Sequence, residues 1–122
     1  MTEPNYILLY VDSPAASATF YSKLLGKSPV ELSPTFALFV LSSGFKLGLW
    51  SKHTVQPVAT LVGGSEVAFP VADKSVVSDI YADWVERGLA IAQAPVQMDF
   101  GFTFVALDPD GHRLRVLASS RE

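Results

Sequence analysis

The hydrophobic pattern along the chain repeats after about sixty residues. Each half begins with a short apolar run, which leads into a helix-capping residue, an amphipathic segment and further apolar runs. Val11 and Tyr21 in the first half recur as Val71 and Tyr81 in the second. Self-similarity at a fixed offset is typical of a duplicated structural unit. The pattern therefore predicts two equivalent modules.

Each module contains one predicted helix with a recognisable start and end. Ser13 followed by Pro14 starts the first helix, because the Ser side chain can accept a hydrogen bond from a free backbone N–H and Pro fits the first helical position. Asp73 provides the equivalent cap in the second half, and Gly26 and Gly88 are suitable ends. The apolar positions spaced by four along the two helices are Ala16, Phe20, Leu24, Val76, Ile80 and Trp84.

The remaining apolar runs are predicted to be strands. They lie near Tyr6–Val11, Val30–Ser33, Phe36–Ser42, Lys46–Trp50, Glu66–Val71, Ile91–Met98, Thr103–Leu107 and Arg113–Leu117. The order strand, helix and three strands occurs twice. This order predicts an α+β fold of two βαβββ modules, residues 1–60 with the linker and residues 61–122, which form one structural domain as a tandem repeat.

The predicted strands are apolar on both faces. In the first strand, Tyr6 and Tyr10 share one face while Ile7 and Leu9 share the other. One face is expected to pack on a helix, and the other must contact the other half, a second chain or an apolar ligand. Aromatic residues favour a ligand cleft, because flat rings offer a large and rigid contact area. The aromatic residues assigned to the cleft face are Tyr6, Tyr10, Phe36, Phe102 and Phe104.

Composition excludes several classes of protein. The chain has 122 residues, of which 49% are apolar and 17% charged, with no cysteine and a formal net charge of -3. These values exclude a disordered chain, a disulfide scaffold and a cysteine-ligated zinc site. Without a basic excess we expect no nucleic-acid partner, and without an apolar run of about 18 residues we expect no membrane partner. The acidic N-terminus is not a signal peptide, so we expect the protein in the cytoplasm.

The repeat carries two motifs that resemble a known superfamily. The motifs are Phe20-Tyr21 at the end of the first helix and Asp108-Pro109-Asp110-Gly111-His112 before the last strand. With the duplicated βαβββ pattern, they resemble the glyoxalase, bleomycin-resistance and extradiol-dioxygenase group, also called the vicinal oxygen chelate superfamily. The resemblance implies a curved mixed sheet around a cleft, with the helices on the outer face. It also implies a homodimer, in which modules pair either within one chain or between chains.

Enzymes of this superfamily bind a divalent metal through one side chain from each of four strands. The resemblance places those four positions at Tyr6, Gly48, Glu66 and Arg115. Glycine has no side chain to donate, and a guanidinium is a permanent cation that cannot ligate a metal. We therefore predict no metal and no other cofactor. A metal-dependent lyase or isomerase of the glyoxalase or dioxygenase type, with an atypical site, remains the alternative.

The stretch Leu47-Gly48-Leu49-Trp50 resembles the metal-free members that bind phenazine or peptide antibiotics. The resemblance implies that Trp50 stacks on a planar ligand and that the missing side chain at Gly48 leaves space for it. Glu66 and Arg115 would face the cleft, where they could pair with each other or meet polar groups of the ligand.

The predicted function is therefore to sequester an aromatic, antibiotic-like molecule without catalysing a reaction. The residues predicted to bind it are Trp50, Tyr6, Tyr10, Gly48, Glu66, Arg115, Phe36, Met98, Phe102 and Phe104. A core or interface role for Trp50 stays open. So does a third reading, in which the apolar sheet face only forms the homodimer.

Overall fold

The computed structural model describes residues 2–120, and the chain divides into two compact units, residues 1–61 and 62–122. The first unit contains β1 Tyr6–Val11, α1 Pro14–Leu25, β2 Glu31–Leu32, β3 Phe36–Val40 and β4 Lys46–Ser51. The second contains β5 Glu66–Pro70, α2 Lys74–Glu86, β6 Ala90–Met98, β7 Gly101–Leu107 and β8 Arg113–Ser119. The predicted α+β class with two βαβββ modules is confirmed.

The two units share one topology. The strand order is β1-β4-β3-β2 in the first sheet and β5-β8-β7-β6 in the second. In each unit the first strand pairs in parallel with the last, and the remaining pairs are antiparallel. The helix supplies the crossover that lets the first strand share a sheet with a parallel partner.

In the first unit, α1 covers one face of the sheet. The side chains of Leu9, Val11, Phe39 and Leu49 are buried on this face, as is Tyr21 of the helix. Alternation along each strand sends the neighbouring side chains to the opposite face, which α1 does not cover. The strand register therefore produces one closed apolar face and one face free of the helix.

In the second unit, an aromatic cluster joins α2 to its sheet. The Trp84 ring lies edge-on to Phe69 and to Phe104, with centroid distances of 5.6 and 5.4 Å. Tyr81 makes a third edge contact with Phe104, at 5.3 Å. Edge-to-face rings at these distances stabilise a core beyond the area they bury. Trp84 therefore has the core role that its place on the helix stripe predicts.

The predicted helix caps are confirmed. The Ser13 hydroxyl accepts a hydrogen bond from the Ala16 N–H, and the Asp73 carboxylate accepts one from the Val76 N–H. Gly26 ends α1 with a left-handed φ of 65°. The second helix ends one residue earlier than expected, at a cap on Arg87. In the part of the chain that the structure describes, no helix has both the length and the hydrophobicity needed to cross a bilayer.

Candidate ligand-binding site

The helix-free face of the first sheet is apolar and partly open. Tyr6, Leu8 and Tyr10 project from β1 on this face and remain 40%, 45% and 38% exposed. Strand β3 adds Phe36 and Leu38, both half-buried. Large apolar side chains gathered on one exposed surface are typical of a binding site rather than of ordinary protein surface. We call this surface the aromatic face.

Trp50 lies in the central strand of the aromatic face. The strand register places it between Tyr10 of β1 and Phe36 of β3. Its indole is half-buried and meets the Tyr10 ring edge-on, with centroids 6.4 Å apart and planes at 85°. The structure therefore brings together Tyr6, Tyr10, Phe36 and Trp50, as predicted, and leaves part of the indole accessible.

The space above Gly48 is occupied. A Cβ atom added at Gly48 would lie 2.7 Å from Leu8 Cδ2, 2.9 Å from Phe36 Cζ and 3.0 Å from Tyr6 Cε1. The expectation of open space at this position is wrong, because three neighbouring side chains fold over the glycine. Each of the three atoms lies at or near the far end of its side chain, so rotation about side-chain bonds can displace it. Gly48 thus allows two aromatic rings and a leucine to lie close to the sheet.

Glu66 and Arg115 form a bidentate ion pair in the second unit. Arg115 donates from Nε to Glu66 Oε1 at 2.7 Å and from Nη2 to Oε2 at 3.0 Å. Its Nη1 donates to Thr103 Oγ1 at 3.2 Å, and the Thr103 hydroxyl donates to the Val116 carbonyl at 2.7 Å. Of the two arrangements that the sequence left open for these charges, the structure has the direct pair. This chain of hydrogen bonds fixes the orientation of the guanidinium.

The ion pair changes the acidity of both partners. Hydrogen bonding from Arg115 lowers the pKa of the Glu66 carboxyl below its ordinary value, and burial opposes this shift only partly. The same hydrogen bond raises the pKa of Arg115. Both groups are therefore charged across the physiological pH range.

A cavity of about 240 Å³ lies beside this ion pair, within the second unit. It is lined by Ala92, Gln93, Met98, Val105, Arg113 and Arg115. Two of these residues, Met98 and Arg115, were predicted as site residues. A larger groove of about 770 Å³ is lined by Val62, Gly63, Gly64, Ser65, Glu66, Ala68, Gly111 and Arg113. Arg113 lines both spaces, and Glu66 faces the larger one.

Phe102 and Phe104 lie on the helix side of the second sheet. Phe104 is fully buried against Tyr81 and Trp84 of α2. Phe102 shares its face by strand alternation, and the Lys74 ammonium at the start of α2 lies 5.5 Å from its ring centroid. Their assignment to a ligand cleft is wrong, because α2 covers the face of β7 from which they project.

The four positions that the family resemblance assigns to metal ligands do not fit a divalent cation. Gly48 offers no donor atom, and the Arg115 guanidinium would repel a cation. Both carboxylate oxygens of Glu66 already accept hydrogen bonds from Arg115. Across residues 2–120, no three His, Asp or Glu side chains form a cluster that could hold a metal ion.

Arg113 and Gln93 also line the cavity, although neither was predicted as a site residue. Arg113 precedes Arg115 by two positions in β8, and alternation alone places both side chains on one face. Gln93 could not be assigned in the same way, because β6 has register shifts on either side of it. Such irregularities turn side chains away from simple alternation.

The duplicated βαβββ fold defines the class of protein: a small α+β protein built from two modules of the same topology. The chain belongs to the glyoxalase/bleomycin resistance protein/dioxygenase superfamily, whose family model matches residues 3–116. This membership confirms the predicted resemblance.

Three comparisons illustrate the relationship. The chain is 30% identical over 116 residues to the phenazine antibiotic resistance protein EhpR from Enterobacter agglomerans, covering 93% of this chain and 89% of the relative. A solution NMR structure of protein ATC0852 from Agrobacterium tumefaciens matches with a TM-score of 0.92 and 54% identity, covering 99% of this chain and 100% of that chain. A glyoxalase-related enzyme from Fulvimarina pelagi has the same fold, with a TM-score of 0.83 and 24% identity over 98% of this chain and 89% of its own.

Proposed function

We propose that this protein binds an aromatic, antibiotic-like small molecule without transforming it, and so sequesters that molecule in the cytoplasm. The observation that carries the proposal is the aromatic face, where Tyr6, Tyr10, Phe36 and Trp50 remain partly accessible around Gly48. The similarity to a phenazine antibiotic resistance protein supports the same class of ligand. The metal positions of the superfamily, with their glycine and arginine, support binding rather than metal-dependent catalysis.

The binding energy would come from apolar burial and ring stacking. A planar ligand can displace the side-chain ends that cover Gly48 and lie against the half-buried indole of Trp50. Offset stacking contributes about 0.5–1.5 kcal/mol beyond the area buried. Burial of the ring faces adds about 25 cal/mol for each Å² of apolar surface. Neither contribution requires a reacting group on the protein.

Tryptophan fluorescence tests the proposal directly, because the chain has only two tryptophans. In a Trp84→Phe variant, Trp50 is the sole indole. We expect titration with phenazine to quench its emission to saturation. Chromatography of the mixture should return phenazine unchanged. Conversion of phenazine or absence of saturable binding by planar aromatic compounds would contradict the proposed function.

The contribution of Trp50 to the binding free energy can be measured by replacing this residue. Trp50→Ala should weaken phenazine binding by about tenfold or more, because both stacking and apolar burial are lost and 1.4 kcal/mol corresponds to one decade. Calorimetry can compare this variant with the parent and with Trp84→Phe. The last is the control, because the Trp84 indole packs in the α2 core. Unchanged affinity in a folded Trp50→Ala variant would assign the stacking role to another aromatic residue.

A further inference from the structure

The small cavity of the second unit has an excess of positive charge. Its lining includes two guanidinium groups, Arg113 and Arg115, and no carboxylate. Glu66 pairs closely with Arg115 and lies 3.9 Å from Arg113 Nη1, which is too long for a hydrogen bond. One carboxylate therefore faces two cations. Among these three side chains one positive charge is left without a hydrogen-bonded carboxylate, and it is that of Arg113.

The two arginines differ in their freedom to bind a ligand. Arg115 uses three N–H groups on Glu66 and Thr103, and its side chain is only 17% exposed. Arg113 makes one long ion pair, and its side chain is 61% exposed. A guanidinium presents paired N–H groups that match a carboxylate. The N–H groups of Arg113 can therefore reorient toward an anion. Arg115 is held in one orientation by its hydrogen bonds and forms a fixed part of the cavity lining.

The rest of the cavity suits a small ring that bears such an anion. Met98 contributes a flexible thioether, which makes favourable contacts with aromatic rings, and Val105 and Ala92 add apolar surface. Gln93 adds an amide that can donate to a second oxygen. At about 240 Å³, the cavity is smaller than sites that hold a drug-sized molecule. Its size therefore suits a small aromatic acid.

We propose that this cavity is an anionic subsite, which binds the carboxylate of an aromatic acid through Arg113. The inference rests on the proposed function only for the aromatic class of the ligand, and it concerns the second unit by itself. Arg115 is a positioning residue that Glu66 and Thr103 hold in place. Binding involves no bond formation or cleavage.

Benzoate and benzamide are suitable probes, because they have the same shape and differ in charge. The chain has two methionines, Met1 and Met98, so a methyl-labelled sample gives two NMR signals. The signal of Met98 reports on the cavity, because Met98 lines it. We expect millimolar benzoate to shift the Met98 methyl signal to saturation. Benzamide should bind about tenfold more weakly, because a charge-assisted hydrogen bond is stronger than a neutral one. Raising the salt concentration should reduce the difference.

Arg113→Gln should remove the preference for benzoate, so that benzoate and benzamide bind with similar, weak affinities. Arg87→Gln is the matched control, because Arg87 pairs with Asp83 on the surface of α2, outside the cavity. A benzoate preference that survives Arg113→Gln would overturn the proposal. Equal binding of the two probes, or a Met98 signal that does not move, would do the same. Phenazine quenching of Trp50 is measured separately, so failure of the subsite and failure of the proposed function give different results.

Discussion

Gly48 and Gly101 both lie where a side chain would meet close neighbours, but the neighbours differ. At Gly48 they are the ends of the Leu8, Phe36 and Tyr6 side chains, which can rotate aside. At Gly101, an added Cβ would collide with the backbone carbonyl of Ala118 on the paired strand. Gly101 also has a φ of 154°, which other residues rarely adopt. Gly48 lets three side chains pack close to the sheet. Gly101 is required because any side chain there would collide with the backbone of the paired strand.

We expect Gly101→Ala to lower the free energy of unfolding by about 3 kcal/mol or more, because relief of the clash requires movement of β7 or β8. Gly48→Ala should change it by about 1 kcal/mol or less, because three flexible side chains absorb the added methyl group. Urea unfolding of the two variants measures the difference. Similar losses in both variants would show that the two kinds of neighbour do not differ in rigidity.

The common location of the charged residues Glu66 and Arg115 could be predicted from the sequence. Glu66 and Arg115 were expected to share a face, and two opposite charges in such a place are more stable when paired. The structure has them in a bidentate pair. The packing over Gly48 could not be predicted in this way. It depends on the rotamers of three side chains from two other strands, and strand alternation does not determine rotamers.

The helix ends are the part of the fold that local sequence determines most directly. Ser13 and Asp73 each accept a hydrogen bond from the N–H three residues later, which the first turn of a helix otherwise leaves unpaired. The stripe predicted on α1 was wrong, because the buried positions are Pro14, Ser17, Ala18 and Tyr21 rather than Ala16, Phe20 and Leu24. Ser17 and Ala18 are small residues that are buried all the same. A pattern built on the spacing of large apolar residues does not identify such positions.

The same reasoning explains the error at Phe102 and Phe104. Alternation correctly separated the two faces of β7, since Phe104 is buried against α2 and its neighbours project from the other side. It could not decide which of two apolar faces the helix would cover. In β1 the aromatic residues face away from the helix, whereas in β7 they face toward it. An aromatic bias therefore did not distinguish a ligand face from a core face.

Removing the two caps should have different pH dependences. Ser13→Ala should destabilise the protein by about 1 kcal/mol at every pH, because a hydroxyl does not titrate in this range. The Ser75 hydroxyl and the Val76 N–H lower the pKa of Asp73 below its usual value. Its stabilising effect is therefore present above the unfolded pKa and declines as pH falls through the folded pKa.

The deficit of Asp73→Ala relative to the parent should accordingly shrink in acid, whereas the deficit of Ser13→Ala should stay constant. Thermal unfolding of the parent and both variants between neutral and acidic pH measures this. A constant deficit for Asp73→Ala would mean that the charge of its carboxylate does not contribute to the cap.

At the scale of the whole molecule, several large apolar side chains are exposed to solvent. In the segment between the two modules, Val58 and Leu61 are 76% and 96% exposed. Val30 precedes the two-residue strand β2 and Leu32 lies in it, and their side chains are 62% and 57% exposed. Strand β2 lies at an edge of its sheet. Isolated exposed apolar residues are common, but several close together in sequence are typical of an interaction surface. Each unit of about sixty residues also has only a small core of its own.

We therefore expect the protein to be a homodimer that buries part of this apolar surface. Light scattering at micromolar concentration should give twice the chain mass of 13.2 kDa. Leu61→Lys should shift the equilibrium toward monomer on dilution, because a buried ammonium without a partner is costly. Val85→Lys, which places the same charge on the exposed surface of α2, should leave the dimer intact. A parent protein that stays monomeric at micromolar concentration would contradict the prediction, and equal dissociation of both variants would assign the interface to another surface.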